Sequence, residues 1–170
     1  MKRKTNISLK SSSLKTIRKY SNKSRLITES VYKKGEKLAE AYIVIYSIEN
    51  HLRLFIWKIA GKSNKKLSVL LGKKEKEKIH NRKTQERQNQ WLAIRKDCDL
   101  FYLDIDDLGT IIQRNWARFV EYFPTEHWIK TKIDEISAIR NRIAHNNSFV
   151  TTIEKKALEL YMNQIFEQIK

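Results

Sequence analysis

Four glycines and one proline are all the backbone punctuation this chain has in 170 residues, against ordinary usage of about 7% and 5%. So few breakers cannot supply the tight turns of a β-sandwich or barrel, and no glycine-rich phosphate loop is present. Long helices with short connections remain. The expected fold class is all-α, a bundle of four to five helices, mostly up-and-down. Hydrophobic residues, 41% of the chain, are enough for one buried core. A lone cysteine, Cys98, excludes an internal disulfide framework and multi-cysteine zinc modules, and fits a reducing, cytoplasmic setting. The longest apolar stretch, Ala41–Tyr46, is far too short to span a bilayer, and no apolar run follows the basic start at Lys2, Arg3 and Lys4.

Apolar residues recur at three- and four-residue steps from about Lys34 to Ala60, through Leu38, Tyr42, Ile45, Ile48, Leu52, Phe55 and Ile59, and Gly61 is a natural stop. Apolar around much of its girth, this helix is expected to be central. Glu49 and Arg53 on it stand at i, i+4, the spacing of a helix ion pair that here can face a partner or a cleft. Leu67–Leu71 before Gly72 allows a short helix or a turn. Lys74–Lys96 reads as a largely polar helix whose apolar character returns at Trp91, Leu92 and Ile94. The aspartates at 104, 106 and 107 are placed to cap a helix that runs to about Phe123 through Leu108, Ile111, Trp116 and Phe119. Pro124 ends it and Thr125 caps the next, whose stripe is Ile129, Ile133, Ile136, Ile139 and Ile143 and whose end is near Asn146 and Asn147. A last helix, Thr152–Ile169, turns Ile153, Ala157, Leu160, Tyr161, Ile165 and Ile169 inward. The four tryptophans fall mostly on such stripes and read as core.

Charge is the other departure from the ordinary. The formal net charge is +16. It is concentrated in residues 1–34 and 58–96, which each carry +10, while 97–170 carries −3. Residues 1–28 contain no acidic residue and many serines, so 1–33 reads as a basic, flexible arm and 34–170 as the helical domain. Two basic blocks around an apolar helix attract polyanions, of which nucleic acid is the commonest inside cells. Richness in Lys, Ile and Asn also follows from AT-rich coding sequence, so charge alone names no reaction.

The histidines at 51, 80, 127 and 145 have no metal-ligand spacing with one another or with Cys98. A calcium loop starting at Asp104 fails at Leu108 and Asn115, where ligands are needed. No metal and no cofactor are expected. What remains is Arg140-Asn141-Arg142-Ile143-Ala144-His145-Asn146 at the end of an apolar-striped helix. At about 100° per residue Asn141 and His145 share a face, with Arg140 about 140° from His145. An imidazole and a guanidinium there can neutralise a phosphate and exchange a proton; the same residues also serve as ordinary helix-end capping.

Arg140-Asn141-x-x-x-His145 resembles the Arg-polar-x-x-x-His signature of the HEPN superfamily of all-helical ribonuclease and nucleotide-binding domains. The flanks 134–139 and Asn146, the stretches 102–108 and 112–116, and Glu49-x-x-Leu52-Arg53 are similar to a subgroup found with an mRNA-surveillance endoribonuclease and in bacterial abortive-infection proteins. The resemblance covers about residues 35–169. It implies a HEPN-like bundle and a metal-independent endoribonuclease cleaving by 2′-hydroxyl attack, a toxin or anti-phage effector. Arg140, Asn141 and His145 would be catalytic, and Arg142, Asn146, Glu49 and Arg53 substrate-binding. The implied partners are RNA (tRNA, rRNA or mRNA), a second copy docked through the motif-bearing helices, and a cognate inhibitor or sensor. Asn147 stands where superfamily toxins silenced by adenylylation carry a tyrosine, so that control is not implied. Two alternatives stay open: a catalytically silent HEPN module that binds RNA or scaffolds, and an unrelated basic helical nucleic-acid-binding protein.

Overall fold

The computed structural model describes residues 19, 29–89, 91, 93–95, 97–145 and 149–170. These residues form an all-helical bundle: α1 (Glu29–Ile59), α2 (Asn64–Leu70), α3 (Lys73–Gln88), α4 (Ile105–Arg114), α5 (Glu126–Ala144) and α6 (Thr152–Gln168), with short 3-10 turns at Asp99–Tyr102 and Trp116–Arg118. The stretch before Gly72 is helix rather than turn. No described helix is long and apolar enough to cross a membrane.

α1 is central, as its girth implied. It packs along α6 and also touches α4, α5 and the turn at Asp99–Tyr102. Ala41, Ile45, Ile48, Leu52, Phe55 and Ile56 are its buried face. The helix starts at Glu29, five residues before the expected boundary, and closes where Gly61 and Lys62 turn to φ +68° and 54°. There the Lys62 amide donates to the Trp57 carbonyl at 2.9 Å, satisfying one of the carbonyls a helix end leaves open. On the α6 side His51 lies against Phe166, ring centroids 4.2 Å apart, and burial holds its pKa below the ordinary imidazole value.

α5 buries the expected isoleucine stripe, 129, 133, 136, 139 and 143, and Thr125 caps it by accepting from the Trp128 amide. Three expectations need correction. The helix expected to reach Phe123 stops at Arg114, because the Asn115 side chain donates to the Ile111 carbonyl of α4 and to the Leu70 carbonyl of α2. Phe119 and Phe123 still reach the core, by packing around Phe55 with centroids 5.8 Å away. The helix expected to continue to Lys96 ends at Gln88; the chain folds back so that the Arg95 amide donates to Glu86, and Trp91 and Ile94 are over 80% exposed rather than core. On α6 the inward face is Leu158, Ile165 and Ile169, which leaves Ile153 and Leu160 exposed. Ile153 sits five residues, about 140°, from Leu158 and so points outward.

α3, polar on nearly every side, is held by charge. Glu75 accepts from the Gly72 amide at 2.7 Å and from Arg114 of α4 at 2.7 and 3.1 Å. The Arg114 hydrogen bond lowers the Glu75 pKa against the opposing effect of burial. A Cβ at Gly72 would stand 2.7 Å from the Arg114 guanidinium carbon and from a Glu75 carboxylate oxygen, so a larger residue there would make this pair shift.

Leu52 has no exposed surface, so Leu52→Ala should cost about 2–5 kcal/mol. Urea denaturation followed by circular dichroism checks this, and an unchanged midpoint would place Leu52 outside the core.

Candidate functional site

One wall of a cleft among the described residues is a single face of α1: Tyr42, Tyr46, Glu49 and Arg53 all line it. Their spacing of four, seven and eleven residues keeps them within about 60° of one another around the helix. Arg82 and Glu86 of α3, Asp104 at the start of α4 and Arg140 of α5 form other walls of the cleft, which measures about 720 Å3. The sequence thus brings Arg140 together with Glu49 and Arg53 across nearly ninety residues of chain.

Arg53 is buried. Its Nε donates to the Leu100 carbonyl at 3.1 Å, and its Nη2 donates to the Leu103 carbonyl at 2.8 Å and to Glu49 at 2.6 Å. The guanidinium also lies 5.5 Å from the centre of the Phe101 ring. Arg53 therefore fixes the segment leading into Asp104, and Glu49 offsets its charge where water is scarce.

Asp104 gathers three cations. Arg82 holds it with both nitrogens at 3.1 and 2.8 Å, Lys78 lies at 2.7 Å, and Arg140 Nη2 is the most distant at 3.8 Å. Burial alone would raise the Asp104 pKa, but Arg82 and Lys78 outweigh it and bring the value down to about 2. Lys78 responds in kind: burial opposes its charge, yet Asp104 and Asp107 raise its pKa above the ordinary lysine value. Glu86 accepts from the Tyr102 hydroxyl at 2.5 Å, and burial together with that bond pushes the Tyr102 pKa up to about 12. Arg95 completes this side, 3.5 Å from Glu86 and 5.2 Å from the Tyr102 ring centre.

The motif itself is divided. Arg140 lines the cleft and its Nη1 donates to Asn141 at 3.1 Å. His145 stands exposed as the C-terminal cap of α5, its amide donating to the Asn141 carbonyl at 3.1 Å, and it is not among the cleft-lining residues. Arg142 pairs with Glu154, whose carboxylate accepts from the Thr151 amide at the start of α6, so it ties α5 to α6. Asn146 and Asn147 lie outside the described residues. Sequence periodicity placed Tyr42 in the core and left Tyr46, Arg82 and Arg95 unremarked. The detectable signal was the second stripe on α1, 42, 46, 49 and 53, beside the apolar one. Among the described residues no three His, Cys, Asp or Glu side chains are grouped as metal ligands are. Comparison with protein-family models, with curated proteins and with solved structures finds no match in any of the three.

The acid behaviour of Asp104 is testable. The folded carboxyl holds its proton more weakly than an ordinary one of 3.8. Its stabilisation is therefore complete above about pH 4 and drains away as pH falls toward 2. Asn caps helices as well as Asp does, so Asp104→Asn isolates the charge. It should lower stability at neutral pH by about 1–2 kcal/mol and flatten the acid limb. Urea midpoints measured across pH check both, and an unchanged acid limb would contradict the ion-pair role.

Proposed function

We propose that the chain is a HEPN-like, metal-independent endoribonuclease that works as a two-fold dimer, in the manner of a toxin or anti-phage effector acting on tRNA, rRNA or mRNA. The observation that carries this reading is the placement of Arg140. It stands on a cleft without a close carboxylate partner, because Asp104, 3.8 Å away, is already engaged by Arg82 and Lys78. A guanidinium in that position can turn to a phosphate, which it matches in charge and geometry.

Cleavage of RNA by its own 2′-hydroxyl forms a bond from O2′ to phosphorus and breaks the bond to O5′. The products are a 2′,3′-cyclic phosphate and a 5′-hydroxyl, with no other reactant. A base must take the 2′-proton, an acid must protonate O5′, and a cation must stabilise the added charge on phosphorus. His145 is exposed and suits proton transfer; Arg140 suits the charged intermediate; Asn141, bonded to Arg140, orients it. One imidazole cannot stand on both sides of the phosphorus. A second copy supplies the other, and Arg140 of one protomer meets His145 of its partner, which removes the difficulty that the two residues diverge within one helix. The net charge of +16 gathers RNA and makes binding steeply salt-dependent. The two catalytically neutral readings, a silent HEPN-like scaffold and a basic helical binding protein, use the same charge without the chemistry.

Purified protein incubated with total RNA and EDTA should release fragments with cyclic-phosphate 3′ ends. His145→Ala and Arg140→Ala should each lower the rate by about 10²–10⁴-fold while helicity is kept. Equal cleavage by His145→Ala would reject the assignment, and an inactive parent would leave the scaffold reading. In cells, toxicity of the parent relieved by His145→Ala tests the effector role.

A further inference from the structure

Resting on the reading that the substrate is RNA, we infer that the cleft is a subsite for one unpaired nucleotide of single-stranded RNA, with Tyr42 and Tyr46 as the shelf for its base and Arg95 and Arg140 as the clamp for its phosphates. Tyr42 and Tyr46 are half-exposed, at 50% and 56%, although they belong to the central helix of the bundle. Their rings lie 6.4 Å apart, tilted by 36°, and both face the cleft. Two neighbouring aromatic rings left open to water on a polar wall are a surface on which a base can stack, and every base has a face to offer.

The charges around this shelf divide into two classes by distance. Arg53, Arg82 and Lys78 are held at 2.6 to 2.8 Å by carboxylates, so they build the wall. Arg95 and Arg140 stand 3.5 and 3.8 Å from carboxylates that already accept shorter hydrogen bonds from other donors. Neither guanidinium has a close carboxylate partner: Arg140 also donates to Asn141 at 3.1 Å and Arg95 lies 5.2 Å from the Tyr102 ring centre, which leaves each able to take a phosphate as its anion. The volume of about 720 Å3 lies within the range of about 300–1,000 Å3 found for small-ligand sites, enough for a nucleotide. A second, smaller cleft of about 380 Å3 shares Arg82 and Gln85 with the first and is lined by Lys74 and Lys78 of α3. α3 carries seven basic and three acidic residues, and with Lys78, Arg82 and Lys83 paired to carboxylates its remaining positive charge is on Lys73, Lys74, Lys76 and Arg87 beside the two clefts.

Binding is separated from cleavage by a short labelled single-stranded RNA carrying 2′-O-methyl groups, which lacks the attacking hydroxyl, measured by fluorescence anisotropy with the full chain. Tyr42→Ala and Tyr46→Ala should each weaken binding about tenfold, while Tyr42→Phe and Tyr46→Phe, which keep the ring, bind as the parent does. An RNA duplex, whose bases are already stacked, should bind the alanine variants and the parent equally. Circular dichroism confirms that the variants fold. Alanine variants that bind the single strand like the parent, equal losses for strand and duplex, or a parent that binds no RNA would each overturn the subsite. The nuclease reading fails separately: loss of binding on removing the rings, in a protein that never cuts RNA, would support the subsite and reject the enzyme.

Discussion

The carboxylate of Asp104 is the constraint on which the arrangement rests. It sits at the start of α4, takes Arg82 and Lys78 from α3 and lies within 3.8 Å of Arg140 on α5. α3 has little apolar surface with which to dock, since only Glu75 and Ile79 of its sixteen residues are buried. Its attachment therefore depends on ion pairs at both ends, Glu75 to Arg114 near the start and Lys78 and Arg82 to Asp104 further along. Such pairs are worth little when fully solvated. These are partly buried and share hydrogen bonds with backbone, as when Arg82 also donates to the Tyr102 carbonyl at 2.7 Å. Removing the negative charge would leave Arg82 and Arg140 without their carboxylate and Lys78 with Asp107 alone.

The same constraint gives the cleft its chemical character. Because two cations already satisfy Asp104, the third is held at the limit of an ion pair, and Arg140 keeps its capacity for an anionic ligand. Arg53 acts on the opposite wall by binding the carbonyls of Leu100 and Leu103, which sets the position of the segment that presents Asp104. Along α5, Arg140 and His145 are separated by about 7.5 Å of rise and about 140° of rotation. His145 is not among the residues that line the cleft of its own chain, and in the proposed chemistry a second copy of the helix would supply the other imidazole.

Much of this was legible in the residues. The scarcity of glycine and proline gave the fold class, and the isoleucine stripe of α5 with its Thr125 cap was right in phase and extent. The Glu49–Arg53 pair was visible as a spacing, and the cleft it faces was one of its two stated surroundings. Where periodicity failed, a local polar contact or a competing face was the cause. Asn115 ends α4 because its amide finds two carbonyls, a choice that spacing does not encode. Trp91 and Ile94 are exposed because the chain reverses after Gln88 to reach Glu86. Tyr42 fits the apolar repeat but belongs equally to the stripe that lines the cleft, and only the placement of α3 and α5 decides between them. Arg142 read as part of the motif and is held by Glu154 at the start of α6.

Mixing protomers tests the shared site most directly. Parent and His145→Ala chains, mixed in equal amounts, are denatured together and refolded so that subunits exchange. Half of the dimers then hold one imidazole where the reaction needs two, so cleavage should fall to about a quarter of that given by the same amount of parent dimer. A fall to only about one half, in a preparation shown to contain mixed dimers, would contradict a site built from two chains.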